Sequence, residues 1–172
     1  LKDIELAFKT LKKKGKNITI LHCNSAYPTP IKDLNLNVLI NLKKIFKSNV
    51  GLSDHSLSLM APAVAVGMGA TVIEKHFTLD KSMEGPDHAA SLSPEELREM
   101  IEQIRYIDEA LGSHIKTPTQ SEQEMLTVAR RGIKAAVNLA KGDIISELNI
   151  EVLRPGVGIT PDYYYEILGK KV

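Results

Sequence analysis

The sequence ATVIEKHF, residues 70–77, is the stretch on which the fold assignment depends, because an apolar run passes directly into Glu-Lys-His. A short apolar run of this kind is typical of a buried strand. NITILHC, residues 17–23, has the same form and is predicted to be a strand buried on both faces, and residues 50–53 form a third short strand followed by Asp-His-Ser. Amphipathic or small-residue helices are predicted at residues 2–13, 33–46, 57–68 and 93–111. Alternating helices and strands with short connections predict parallel βα units and an α/β fold.

The composition changes near residue 112. Residues 113–128 are mostly polar and are predicted to be a linker. Residues 129–172 contain short segments separated by glycine and proline, which predict a small compact domain with little regular helix.

Composition limits the classes of partner. The chain has 172 residues, 43% of them hydrophobic, and a formal net charge of +1, which argues against a nucleic-acid or membrane-binding surface and favours a small molecule or another subunit. The single cysteine, Cys23, excludes an intrachain disulfide and suits a cytoplasmic protein. The most apolar stretch, residues 57–73, is too short and too interrupted to span a bilayer. Because the chain begins with Leu1, we expect it to start inside a longer protein.

Polar side chains follow each of the three predicted strands. The carboxyl ends of parallel strands meet at one edge, where barrel enzymes place their catalytic groups. Side chains alternate along a strand, so Glu74 and His76 face one side while Lys75 faces the other. The residues at the three strand ends include Asn24, Ser25, Tyr27, Ser53, His55, Glu74 and His76.

His55 and His76 are the candidate metal ligands. They follow neighbouring strands, whose backbones lie about 4.8 Å apart, so their imidazoles can converge on one divalent cation. Two histidine ligands leave coordination positions for water and substrate, as Lewis-acid catalysis requires. Spacing alone leaves the alternative open that both histidines are hydrogen-bonded structural residues.

The other candidates also have ordinary structural explanations. As a functional residue, Glu74 would orient a substrate or move a proton; as a structural residue, it would pair with a lysine. In the same way, Ser53, Asn24 and Ser25 would either bind a phosphate or carboxylate or cap turns. Asp87 lies in a turn after the third strand, where it would accept hydrogen bonds from sugar hydroxyls or face solvent. Arg154 lies in a rigid Pro-Gly turn of the second domain, where most arginines are surface residues.

Four stretches, HCNSAYPTP, GLSDHS, VIEKHFTLDKSMEGPDHAASLSPEEL and VLRPGVGI, in this order and spacing, resemble the sialic acid synthase family. The resemblance covers essentially the whole chain. It implies a (β/α)8 TIM barrel followed by a small antifreeze-like (SAF) domain, with residues 1–112 as the last three βα units and 129–172 as an incomplete SAF domain. It also implies a homodimer in which this domain caps the partner's barrel.

The resemblance implies roles for the candidate residues. His55 and His76 would hold Mn2+ or Mg2+, and with Glu74 they would form the catalytic group. Ser53 would bind phosphoenolpyruvate, and Asn24 and Ser25 lie near the position that serves the same ligand. The amino sugar would contact Tyr27, Glu74 and Asp87, and Arg154 would reach the substrate of the other subunit.

The implied reaction condenses phosphoenolpyruvate with N-acetylmannosamine to give N-acetylneuraminate and phosphate. The alternatives are a legionaminic or pseudaminic acid synthase of the same family, or a non-catalytic sugar-binding fragment. A complete barrel needs about 200 to 250 residues, so we expect catalysis to require barrel strands beyond the three in this chain.

Overall fold

The computed structural model describes residues 1–15 and 17–172. The described chain divides into two compact units, Leu1–His114 and Ile115–Val172. Each unit is described separately below.

The first unit alternates helices with parallel strands, as the sequence predicts. Strand β1 pairs in parallel with β2, and β2 pairs in parallel with β3, so β2 is central. The elements in chain order are α1 (Lys2–Lys12), β1 (Thr19–Cys23), α2 (Val38–Phe46), β2 (Asn49–Asp54), α3 (Met60–Gly67), β3 (Val72–Lys75) and α4 (Pro94–Leu111). This is the α/β arrangement of three successive βα units, and it places the ends of all three strands at one edge.

The core of the first unit lies between the central strand and helix α2. Val50 and Leu52 of β2 pack with Leu39 and Leu42 of α2, and all four are almost completely buried. Burying an aliphatic side chain of this size stabilises a fold by roughly 1.5 to 3 kcal/mol. The core therefore anchors β2, the strand that directly precedes His55.

Two predicted helices begin later than expected, and local backbone chemistry explains why. The helix predicted from residue 33 begins at Val38, because a 3-10 turn precedes it and Asn35 has a left-handed backbone with φ of 45°. The helix predicted from residue 57 begins at Met60. There the hydroxyl of Ser58 accepts the N–H groups of Met60 and Ala61, which a helix start leaves without helical partners.

The predictions of full burial for β1 and β3 are wrong for this chain. Four residues of β1 are only partly buried and the fifth, Cys23, is exposed, while Val72 of β3 is 41% exposed. Both strands are edges of the three-stranded sheet and each has a single strand neighbour. In contrast, every residue of β2 after Asn49 is buried.

The second unit is small and mostly irregular. Its strands β4 (Gly132–Ala135) and β5 (Ile150–Leu153) are antiparallel, and Ile133 and Ile150 are its buried apolar residues among those described. Its helices are α5 (Gln123–Ala129) and the four-residue α6 (Tyr164–Ile167). Most of α5 falls within residues 113–128, the segment predicted to be a linker.

None of the helices in the described part of the chain is both long enough and apolar enough to cross a bilayer.

Candidate active site

Four predicted site residues meet where β2 and β3 end. Ser53 and Glu74 occupy paired positions in the parallel register, and the hydroxyl of Ser53 donates to Glu74 Oε1 at 2.6 Å. His55 and His76 each lie just beyond the end of their strand, with ring centroids 5.6 Å apart and nearly perpendicular planes. The alternation of side chains along each strand thus places two imidazoles and a carboxylate on the same side of the sheet.

Tyr27 joins the two histidines. Its hydroxyl oxygen lies 2.6 Å from His55 Nε2 and 2.9 Å from His76 Nε2. The Tyr27 ring also stacks on the His55 ring with centroids 3.9 Å apart. We call Tyr27, Ser53, His55, Glu74 and His76 the histidine cluster.

The hydrogen bonds of His55 determine its tautomer. His55 Nδ1 lies 2.7 Å from the carbonyl oxygen of Asn24, which can only accept a hydrogen bond. Nδ1 therefore carries a proton, and the neutral ring presents the lone pair of Nε2 to the cluster. A backbone carbonyl on the far nitrogen is the arrangement that orients metal-binding histidines in proteins.

Asp87 lies on the other side of His76. Its Oδ2 is 3.8 Å from His76 Nδ1, and the two side chains are 55% and 37% exposed. The predicted turn carboxylate is therefore next to the cluster, with His76 Nε2 directed inward and Nδ1 directed toward Asp87.

The phenol of Tyr27 is held in its neutral form. Partial loss of hydration, followed by the negative charge of Asp87 and smaller electrostatic contributions from Cys23 and Glu74, raises the pKa of Tyr27 above its ordinary value. The hydroxyl therefore remains a hydrogen-bond donor at neutral pH. The Tyr27 hydroxyl can donate its one hydrogen bond to His55 Nε2, while its oxygen accepts a hydrogen bond from His76 Nε2.

Asn24, Ser25 and Cys23 lie in or beside the loop that carries Tyr27. The side chain of Asn24 is used within this loop, because its Oδ1 accepts from Ala26 N–H and its Nδ2 donates to the Asp33 carbonyl. Ser25 is exposed. Cys23 Sγ lies 3.9 Å from His55 Nδ1, so the thiol is near the cluster.

Arg154 belongs to the second unit. It is exposed and follows strand β5 directly. In the same turn, Gly156 donates its N–H to the Thr127 carbonyl, and a Cβ at Gly156 would lie 2.7 Å from Arg130 Cβ. Glycine is therefore required in this turn, because any side chain would collide with the preceding segment.

The cluster provides a suitable pair of nitrogen ligands for a divalent cation. Both Nε2 atoms lie within 2.9 Å of a single oxygen, so they converge on one point. The described residues contain no group of three or more His, Cys, Asp or Glu side chains placed to hold a metal. Within the described residues, a cation held at this point would therefore have two imidazole ligands and open coordination positions, as Lewis-acid catalysis requires.

Two residues that adjoin the histidines were not recognised in the sequence as part of the site. Lys75 Nζ lies 2.6 Å from Asp54 Oδ2 on the opposite side of the sheet. Each precedes one of the histidines, and the two occupy paired register positions. The sequence does contain a signal for this pair, which is the opposite charges of Asp54 in Ser-Asp-His and Lys75 in Glu-Lys-His. That signal becomes informative only when the pairing register of β2 with β3 is known.

Comparisons with known proteins identify both units. Residues 1–116 match the NeuB family and residues 130–172 match the SAF domain. The chain is 51% identical over 171 residues to an uncharacterized protein of Methanocaldococcus jannaschii, covering 99% of this chain and 51% of that protein. It is 46% identical over 173 residues to the N,N'-diacetyllegionaminic acid synthase of Campylobacter jejuni, covering 99% and 52%.

A solved structure shares the fold. The crystal structure of the N-acetylneuraminic acid (sialic acid) synthetase of Leptospira borgpetersenii, in complex with citrate, matches with a TM-score of 0.67 and 38% identity, covering 73% of this chain and 44% of that one. The chain spans about half the length of the curated relatives it matches. The predicted fold, the last part of a TIM barrel followed by a SAF domain, is confirmed.

Proposed function

Because the chain belongs to the NeuB family and carries a SAF domain, we propose that the whole protein joins phosphoenolpyruvate to N-acetylmannosamine, giving N-acetylneuraminate and phosphate. The observation that carries this proposal is the convergence of His55 Nε2 and His76 Nε2 on one point beside Glu74. The activity is proposed for the complete barrel, of which this chain supplies three strands.

His55 and His76 would hold Mn2+ or Mg2+ through their Nε2 atoms. The bound cation would polarise the aldehyde of the open-chain sugar and stabilise negative charge on its oxygen. For this role, His55 is already oriented by its hydrogen bond to the Asn24 carbonyl. The Tyr27 hydroxyl, which lies between the two nitrogens, would then be released to contact the sugar.

Glu74 and Ser53 are assigned to the reacting end of the substrates. The carboxylate of Glu74 is fixed by the Ser53 hydroxyl and lies on the same side of the sheet as both histidines. We assign Glu74 to orient the sugar and to carry a proton, and Ser53 to bind phosphoenolpyruvate. Asn24 and Ser25 are proposed to contribute through the position of their loop, since the Asn24 side chain is used within it.

The reaction forms one carbon–carbon bond. The methylene carbon of phosphoenolpyruvate bonds to the aldehyde carbon, whose oxygen takes up a proton and becomes a hydroxyl. Water adds to the former enol carbon, and phosphate leaves as that carbon's bond to the bridging oxygen breaks. The added oxygen gives up both of its protons and becomes the keto oxygen; one proton balances the new hydroxyl and the other is taken up by the departing phosphate. Holding both substrates in register lowers the entropic part of the barrier.

Asp87 and Arg154 are also proposed to contact the sugar. The carboxylate of Asp87 lies next to His76, where it can accept hydrogen bonds from sugar hydroxyls. Arg154 is proposed to act on the site of the partner subunit in a homodimer with exchanged SAF domains. A cytoplasmic location also belongs to this proposal and is supported by the single cysteine.

A second candidate sugar is supported by one observation. The 46% identical relative from Campylobacter jejuni is a synthase for N,N'-diacetyllegionaminic acid. The same chemistry at the aldehyde would serve that sugar, so the two candidates differ only in the substituents that the binding residues contact.

Phosphate release from phosphoenolpyruvate tests the proposal. The assay uses the longest native chain that contains these residues, with and without Mn2+ and each candidate sugar. Release that requires both the cation and N-acetylmannosamine supports the first candidate, and release with only the legionaminic precursor supports the second. A well-folded protein that releases phosphate with neither sugar contradicts the proposal and favours a binding function.

A further inference from the structure

The ends of β2 and β3 are joined on both sides of the sheet. On the side of the histidine cluster, Ser53 donates to Glu74. On the opposite side, Lys75 Nζ donates to Asp54 Oδ2 at 2.6 Å. The second link lies one residue before His55 on one strand and one residue before His76 on the other.

This second link is buried. The side chains of Lys75 and Asp54 are 3% and 0% exposed. A buried ion pair gains little net stability compared with well-packed apolar residues, because desolvating two charges offsets their attraction. Its presence therefore calls for an explanation other than stability, and buried pairs of this kind are best known for fixing one arrangement of neighbouring elements.

The pair also holds the backbone on both sides of His55. Lys75 Nζ donates a second hydrogen bond to the Ser56 carbonyl at 2.5 Å. Asp54 Oδ1 accepts the N–H of Ser56 at 2.9 Å. Two hydrogen bonds thus tie Lys75, the residue before His76, to the residues before and after His55, and a third joins those two residues to each other.

We propose that the Lys75–Asp54 ion pair is a positioning clasp that sets the separation of His55 Nε2 and His76 Nε2, and through it the affinity for the divalent cation. The inference rests on the proposed cation site. Lys75 and Asp54 face away from the cluster, so they act through the backbone of the two ligands and have no contact with the cation. Neighbours that orient metal ligands typically change metal affinity about 10- to 100-fold when removed.

The test compares Mn2+ binding by the wild type, Lys75→Met and the double variant Asp54→Leu/Lys75→Met, using the longest native chain. Free Mn2+ is counted by electron paramagnetic resonance, and the absorption spectrum of bound Co2+ reports the ligand geometry. We expect the dissociation constant of Lys75→Met for Mn2+ to rise about 10- to 100-fold. The double variant leaves no unpaired buried charge, so it is expected to fold and still to bind Mn2+ weakly, with an altered Co2+ spectrum.

Lys81→Met is the matched control. Lys81 pairs with Glu96, but the two side chains are 37% and 35% exposed, and the pair does not adjoin either histidine. Its removal is expected to leave Mn2+ affinity within about twofold of wild type, because exposed pairs contribute little.

The outcomes separate the clasp from the cation site itself. A wild-type protein that does not bind Mn2+ refutes the cation site and the clasp together. A wild type that binds, with a folded double variant that binds equally well and keeps the wild-type Co2+ spectrum, refutes the clasp alone. Weak binding by the double variant, at wild-type thermal stability, is the result that the clasp predicts.

Discussion

Gly51 is the position at which the close approach of the three strands can be tested most directly. It lies in the middle of β2, paired with Leu21 on one side and with Val72 on the other. A Cβ at this position would lie 2.4 Å from the Val72 carbonyl oxygen and 2.5 Å from Leu21 Cδ2, and contacts under 3.0 Å essentially do not occur for real Cβ atoms.

Gly51→Ala is therefore expected to be destabilising. A leucine side chain can rotate away, but the carbonyl oxygen is backbone, so β3 would have to move. Overpacking of this kind costs about 1 to 3 kcal/mol of the free energy of unfolding. For a chain of this length, each kcal/mol lowers the midpoint of thermal unfolding by about 2 to 4 °C.

Gly67→Ala is the matched control, since it adds the same methyl group. Here the new Cβ would lie 3.7 Å from Ile107 Cγ2, an ordinary contact, in the last turn of helix α3. Alanine is favoured over glycine in helices, so this variant is expected to be neutral or stabilised by up to about 1 kcal/mol. Urea and thermal unfolding of both variants provide the measurement. If Gly51→Ala unfolds with the wild-type midpoint, the described packing of β2 against β3 is refuted.

Two further predictions concern the helix start near the site and the exchange of domains. The hydrogen bond from Lys81, followed by the one from the Ser93 backbone, lowers the pKa of Glu96. The ionised Glu96 therefore stabilises the fold above the ordinary carboxyl pKa, and this stabilisation is lost as the pH falls through the lowered pKa. Acid unfolding should show Glu96→Gln less stable than wild type by less than about 1 kcal/mol at neutral pH, with the difference vanishing in acid; a constant difference would contradict this reasoning. If Arg154 serves the partner's site, refolding a mixture of inactive His55→Ala and Arg154→Ala chains should restore about one quarter of wild-type activity. Half of the dimers would then contain one chain of each kind, and one of the two sites in such a dimer would be complete. No recovery of activity would place Arg154 in the site of its own chain.

The order of elements could be predicted from the sequence because hydrophobic periodicity and turn residues are local signals. The Ser-Pro-Glu-Glu start of α4 is an example: Ser93 accepts the N–H of Glu96, and the side chain of Glu96 accepts the N–H of Ser93. The late starts of α2 and α3 could not be predicted, because they depend on the left-handed backbone of Asn35 and on the serine hydroxyl that precedes α3.

The site could be predicted only in part. Alternation along strands was sufficient to place Glu74 and His76 on one side, and neighbouring strands brought His55 to them. The bridging position of Tyr27 depends on the path of a long loop, and the Lys75–Asp54 pair depends on the register of two strands separated by a helix. Both are set by tertiary packing, which periodicity does not encode. The roles of the site residues and the domain boundaries stay predictions.

Direct measurement of Mn2+ binding to wild type, His55→Ala and His76→Ala tests the central claim, which is that these two histidines hold the catalytic cation. The convergence of their Nε2 atoms predicts one Mn2+ per chain in the wild type and a large loss of affinity in each variant. The folded state should be preserved, because both histidines follow the ends of their strands and are only partly buried. Unchanged Mn2+ affinity in both folded variants would contradict the claim and would leave the histidines as structural partners of Tyr27.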